Sequence, residues 1–168
     1  MDETVKLLLA RGIDVHMYYL NYTLEGLRLP FWREVPRGLE YYMLSGAPFM
    51  DPEFYPERVR VDRSAWTEGD RNMSQFLMAS VANLAHYGNP TPKEILGIYW
   101  ERATPADLKY LALNGTNNST MQRNYRQREL MFWTEYMPML VGRFVPTYPP
   151  TTEYWYGKKM FMLVTRFD

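Results

Sequence analysis

The chain has 168 residues, 46% of them hydrophobic and 16% aromatic, which excludes a disordered tail and fits one globular unit or part of one. Lys and Arg together number 19 and so do Asp and Glu, so no basic field exists to hold a nucleic acid or an anionic membrane. The absence of Cys excludes thiolate nucleophiles, thiolate metal sites and a disulfide framework, and leaves the compartment open.

The start of the chain carries Asp2 and Glu3 ahead of a short apolar run, so no signal peptide is expected there. Residues 4–10 read as a short helix. Residues 15–22 (VHMYYLNY) are aromatic and β-branched and follow Gly12, the pattern of a strand buried on both faces. Residues 26–37, with two prolines, read as a long surface loop, and residues 38–45 as a helical turn or a strand stopped by Gly46-Ala47-Pro48. The Pro-rich stretch 51–63 offers only a weak strand pattern in its Arg-Val-Arg-Val run. Residues 70–87 are expected to form a helix with Asp70 as N-cap, Phe76, Leu77, Ser80, Val81 and Leu84 at helical spacing, and a stop at Gly88-Asn89-Pro90. A turn at 104–107 leads into a short strand at 110–113. The polar run 114–120 then precedes a long helix expected over 122–141, interrupted late by Pro138.

That last helix carries two apolar stripes: Tyr125, Phe132, Tyr136 and Met139 on one, Leu130, Trp133, Met137 and Leu140 on the other. A helix covering its own core needs one such face, so the second is read as an association surface for two copies. The domain is expected to cover residues 1–144, with 145–168 a Pro-rich linker or stalk. The apolar run Met160–Val164 falls far short of the roughly 20 residues of a membrane span, so no transmembrane helix is expected on this chain.

No serine among Ser45, Ser64, Ser74, Ser80 and Ser119 stands in a Gly-x-Ser-x-Gly elbow. His16 and His86 lack metal-ligand spacing and sit on regular elements, which makes both structural; no metal or cofactor is expected, and no phosphate loop or dinucleotide fingerprint occurs. Arg123, Arg126 and Arg128 read as a solvated face. Asn-x-Ser/Thr frames occur at Asn21, Asn72, Asn114, Asn117 and Asn118, and three of them crowd into the polar run before the last helix. Glycosylation is expected first in that cluster, then at Asn72, with Asn21 bare inside its strand.

Several ordered signatures resemble the C-terminal third of the carboxylesterase type B family, which includes cholinesterases and the cholinesterase-like adhesion proteins neuroligin, neurotactin and gliotactin. Residues 15–22 resemble the family's final core strands, and WREVPRGLEYYMLSGAPF (32–49) its Trp-x-Gly-Val-x-His-Gly-x-Glu loop and Gly-x-Pro stop. DRNMSQFLMASVANLAHYGNP resembles the helix ending in Asn-Phe-Ala-x-x-Gly-Asn-Pro, with Ser74, Asn83, Ala85, Gly88, Asn89 and Pro90 in frame. Residues 100–114 resemble a Trp-Pro-x-Tyr...Tyr-Leu-x-Leu-Asn-Gly pattern, and Phe132-Trp133 with Pro138 the Phe-Trp-x-x-x-x-Pro signature of the last helix.

The resemblance implies an α/β fold: the C-terminal portion of an α/β-hydrolase, mostly helical with few strands, and without the strands that should flank residues 15–22. It also implies a departure. Where the family's catalytic His would stand, this sequence has Arg37, followed by Gly38, Leu39 and Glu40. A guanidinium has no neutral acceptor nitrogen and cannot take a proton from a serine. The nucleophile elbow, acidic partner and oxyanion glycines of the resembling enzymes would lie upstream of Met1, and the family's Cys two residues before Phe132 is Leu130 here. The expectation is a non-catalytic, cholinesterase-like adhesion or junction ectodomain of the gliotactin or neuroligin kind. As part of a longer parent it would stand at the extracellular face of the plasma membrane, bind an extracellular protein and dimerise through the last helix. The alternative is a piece of a carboxylesterase whose nucleophile half is not on this chain.

Overall fold

A computed structural model describes residues 2–57, 60–142 and 160–164, the last five through their backbone. Helix α1 (Asp2–Ala10) leads through Gly12, at φ +75°, into strand β1 (Val15–Leu20). Then come the short helix α2 (Glu40–Leu44) and the long helix α3 (Glu68–Tyr87). Strands β2 (Lys109–Leu113) and β3 (Thr120–Arg123) follow as a hairpin. Helix α4 (Gln127–Met131), a π-helical turn (Phe132–Tyr136) and helix α5 (Met137–Val141) come next, and strand β4 (Met160–Val164) is the last described element.

The fold is α/β, built on a four-stranded mixed sheet in the order β3-β2-β1-β4. β1 and β2 run parallel, pairing Met17 with Tyr110 and Leu20 with Leu113, and such a pair needs a long crossover, which here contains α2 and α3. Both faces of the central pair are covered. Tyr18, Leu20, Leu111 and Leu113 pack with Met73, Phe76 and Leu77 of α3 and with Trp100; Val15, Met17, Tyr110 and Ala112 pack with Val5 of α1 and Ala103 on the other side. Two covered faces explain why β1 reads as a continuous apolar run rather than an alternating one. The Trp100 indole N–H donates to the Met17 carbonyl at 2.9 Å, which pins the crossover's return to the sheet.

Several expectations are corrected. Asp70 is not the N-cap of α3. Thr67 is, with Asp70 three residues on completing a capping box, so the helix starts a turn earlier, at Glu68. The expected helix over 122–141 is not continuous. Residues 120–123 pair with β2, with Lys109 opposite Arg123 and the Tyr110 hydroxyl donating to Gln122 Oε1 at 2.6 Å, and Asn124 and Arg126 turn through positive φ before the helix begins at Gln127. Within that helix the Met137 N–H reaches back to the Phe132 carbonyl, five residues away, immediately before Pro138. Proline lacks the N–H for the ordinary bond, so the wider turn carries the helix into α5. Residues 26–37 are not featureless, holding 3-10 turns at Glu25–Leu27 and Phe31–Arg33. The Pro-rich stretch holds 3-10 turns at Pro52–Phe54 and Arg63–Ala65, and the Arg-Val-Arg-Val run with the weak strand pattern falls partly on Arg58 and Val59, which lie outside the described residues. Nor does β1 lack neighbours, since β2 and β4 flank it. The expected linker over 145–168 lies outside the described residues apart from Met160–Val164, which pairs antiparallel with β1. Among the described residues no helix is long and apolar enough to cross a membrane.

Candidate functional site: the Arg37 loop

The loop between β1 and α2 is tied down at its stem by Asp70, whose side chain is fully buried. Its Oδ1 accepts from the Tyr22 hydroxyl and the Glu25 N–H, both at 2.9 Å, and its Oδ2 from the Gly26 N–H at 2.9 Å and the Thr67 N–H at 3.1 Å. Four donors replace the water that a buried carboxylate gives up. Tyr22 records the same arrangement: burial, and then its bond to Asp70, raise its hydroxyl pKa above the usual range. Gly26 is required at the stem because an added Cβ would lie 2.6 Å from Trp66 Cε3.

Beyond the stem the chain rises to a tip where Phe31 is 94% exposed and Trp32 70% exposed, between Arg28 and Glu34, both at φ +46°. It returns through a turn closed by the Leu39 N–H on the Pro36 carbonyl. Gly38, at φ +88°, donates its N–H to Glu40 Oε2 at 3.1 Å. Leu39 is buried, and so is Met43, whose carbonyl accepts from Ser74 Oγ of α3 at 2.6 Å. This framework fixes the backbone at residue 37 and leaves the Arg37 side chain exposed, without a hydrogen bond or ion pair among the described residues. Glu40 is half-buried, and after burial its charge is the second cause that raises the Tyr18 hydroxyl pKa.

Next to Gly38 an open cleft of about 490 Å³ is lined by Tyr41, Tyr42, Leu44, Ser45 and Tyr55. Tyr42 and Tyr55 stack at 6.3 Å, and the Tyr55 hydroxyl lies 2.8 Å from Ser45 Oγ. The other serine hydroxyls are committed, Ser64 to Asp62, Ser74 to the Met43 carbonyl and Ser119 to the Gly115 carbonyl, while Ser80 Oγ is buried and has no hydrogen-bond partner among the described residues. His16 lies on β1 against Trp100, edge to face at 6.2 Å, and borders a second cleft of about 460 Å³ with Asp14, Tyr99, Glu101, Arg102 and Lys109. Burial lowers its pKa from 6.5 to about 4, with Asp14 opposing and Arg102 adding a smaller push, so the ring is neutral near pH 7. His86 sits in the last turn of α3 against Tyr87. Among the described residues no group of three or more His, Asp or Glu is placed to hold a metal ion.

The remaining residues singled out by sequence are dispersed. Asn114, Asn117 and Asn118 lie in the β2–β3 connection, where Asn117 and Asn118 are exposed and Asn114 is half-buried; Asn72 is half-buried in α3, and Asn21 donates to Asn114 Oδ1 at 2.9 Å. On the last helical segment Phe132, Trp133, Met139 and Leu140 are exposed, and Leu130 and Met137 half-buried. Sequence reasoning missed the Asp70 clamp. Its visible signal was the Thr67-x-x-Asp70 capping pattern, but three of its four donors come from outside that box.

A family model described as the carboxylesterase family matches residues 1–133. The chain is 28% identical over 152 residues to the neuroligin-like protein glit-1 of Caenorhabditis elegans, covering 84% of this chain and 20% of that protein. It is 28% identical over 132 residues to the acetylcholinesterase of Bungarus fasciatus (79% of this chain, 20% of that protein). Against the cholinesterase of Mus musculus it is 27% identical over 128 residues (76% and 19%). The chain thus spans about a fifth of the length of the curated relatives it matches. With a fold built from a mixed sheet and crossover helices, and a family match running from α1 into the π-helical turn, the chain belongs to the carboxylesterase family.

Proposed function

We propose that this chain is the C-terminal part of an α/β-hydrolase domain that works as a non-catalytic binding surface, in a cholinesterase-like adhesion protein displayed outside the cell. The observation that carries the reading is Arg37. The loop that resembles the family's histidine loop keeps its Gly-x-Glu continuation, and the backbone around residue 37 is held by the buried Leu39, its turn onto Pro36 and the Gly38–Glu40 hydrogen bond, yet the side chain delivered there is a guanidinium with no acceptor nitrogen. A general base must lose and regain a proton near working pH, and Arg does not. A protein whose loop is preserved and whose base is replaced retains the scaffold for a purpose other than acyl transfer.

The partner on this reading is an extracellular protein, and the parent pairs with a second copy through the α4–α5 segment, whose apolar side chains stand in solvent. The similarity to a neuroligin-like protein supports the adhesion reading. A second reading, a carboxylesterase whose nucleophile half lies outside this chain, draws on the similarity to two cholinesterases. Assay of the purified full-length parent on short acyl esters separates the two. The non-catalytic reading expects no hydrolysis above buffer, and turnover abolished by a serine-directed organophosphate would establish the enzyme instead.

A further inference from the structure

The fold sorts the Asn-x-Ser/Thr frames that the sequence leaves equivalent. Asn114 is engaged at both ends of its amide: Oδ1 accepts from Asn21 and Nδ2 donates to the Asn118 carbonyl at 3.4 Å. Asn21 has its own amide nitrogen in that same pair. Asn72 lies within α3, and the hydroxyl of its frame, Ser74, is fully buried against Met43. The frame of Asn117 ends in Ser119, whose hydroxyl donates to the Gly115 carbonyl at 2.7 Å. Asn118-Ser119-Thr120 is left: both Asn118 and Thr120 are exposed, and neither side chain has a hydrogen bond among the described residues. A sugar on Asn118 therefore disturbs no side-chain contact of the folded loop, whereas at Asn114 and Asn21 the amide nitrogen that would carry it is already donating, to the Asn118 carbonyl and to Asn114 Oδ1 respectively.

We infer that Asn118 is the N-glycosylated residue of the β2–β3 loop, an assignment that rests on the extracellular reading above. The donor is an oligosaccharide on a polyprenyl diphosphate. The bond that forms joins Asn118 Nδ2 to C1 of the first sugar, and the bond that breaks joins C1 to the diphosphate oxygen. The diphosphate leaves with that electron pair, and the amide proton passes to a base of the transferring enzyme.

The position also gives the glycan a consequence for the fold. β3 is an edge strand, mostly exposed, and Thr120, paired with Ala112, is its first residue. An unprotected edge offers free N–H and C=O groups to another chain, and a bulky solvated group two residues before the strand blocks that approach.

The test is peptide mass spectrometry of the full-length parent from a glycosylating secretory host, deglycosylated in heavy-oxygen water so that each formerly modified Asn is marked as Asp. The mark is expected at Asn118 and not at Asn114 or Asn117, kept in Thr120→Ser and lost in Thr120→Ala, with the Ala variant alone shifting toward aggregates in sedimentation. An exported parent unmarked at Asn118, or marked at a neighbouring frame instead, overturns the assignment and leaves the extracellular reading standing. A parent that stays in the cytosol without a glycan at any frame overturns both. A Thr120→Ala protein that lacks the glycan and sediments as wild type overturns the protection of the edge.

Discussion

Helix α3 and the α4–α5 segment carry similar apolar spacing and meet opposite surroundings. In α3, Met73, Phe76 and Leu77 are buried against the sheet, the first turn is closed by the Thr67–Asp70 box, and the last turn ends on Gly88 in the left-handed conformation. The α4–α5 segment has no side-chain cap, starts from Arg126 in the left-handed region and widens into a π-helical turn before Pro138, and Trp133 is 66% and Met139 75% exposed. Periodicity reports that a helix has an apolar face. It does not report whether this chain supplies the cover. The contrast places buried packing in α3 and exposed apolar surface in α4–α5, where the proposed association would act, and substitutions can separate the two.

The largest effect belongs to Phe76→Ala. The ring is fully buried in the cluster that holds Tyr18 and Leu20 and stacks on Trp100 at 6.5 Å, so removing it leaves a cavity in the core. A loss on the order of 3–5 kcal/mol in denaturant unfolding is expected, and a change under ~1 kcal/mol would show that α3 is not the organising helix. Next is Asp70→Ala, which leaves the Tyr22 hydroxyl and the Glu25, Gly26 and Thr67 amides without their acceptor and should cost about 3 kcal/mol. Asp70→Asn, keeping one acceptor oxygen, should cost less, and equal losses in the two variants would mean that the clamp depends on the carboxylate charge rather than on the acceptor that Asn retains.

What the sequence made legible follows the same division. β1, β2 and α3 stood out because burial on both faces of the central strands and on one face of a long helix leaves a composition and a period to read. β3 did not: TMQR is an exposed, mostly polar edge held by backbone pairing to β2, and backbone pairing leaves no trace in side-chain pattern. The clamp was hidden for a related reason. Asp70 is near a helix start, where an acidic residue needs no further explanation, and its donors at Tyr22, Glu25 and Gly26 are more than 40 residues away. Arg37 was legible by comparison alone; nothing in its own neighbourhood marks it.

His16 gives a smaller, pH-dependent effect within the buried region. Its folded pKa, about 4, lies below the unfolded value of 6.5, so between those limits the unfolded chain binds a proton that the folded one refuses. Stability at this position is therefore full above about pH 6.5 and falls as the pH drops toward 4, by on the order of 2 kcal/mol. In urea melts of wild type and His16→Leu across that range the difference in stability should shift in the variant's favour as the pH falls, since the variant lacks this proton linkage. Parallel curves would mean that the ring titrates normally and is not held neutral by burial.

The smallest effect on stability, and the one that sharpens the contrast most, is the double change Met137→Asp, Met139→Asp. Met139 is largely exposed and Met137 half-buried, so neither anchors the core, and unfolding should move by no more than about 1 kcal/mol. Association should respond quite differently. Thioether side chains adapt to an irregular partner surface, and a symmetric contact needs only one self-complementary patch, so each carboxylate added there is met by its own copy across the two-fold axis. Two desolvated like charges are costly, and burial without a counter-charge adds to that cost. The π-helical turn bears on this geometry because it sets the direction in which α5 leaves Phe132, and Pro138, which lacks an N–H, stands in the first turn of α5 directly after it. Light scattering on the full-length parent is expected to show a wild-type dimer and a monomeric double variant with unchanged unfolding. A wild-type monomer, or a dimer indifferent to both charges, would mean that the exposed stripes of α4–α5 are covered by another part of the same protein, and the division between a stabilising helix and an associating one would then lapse.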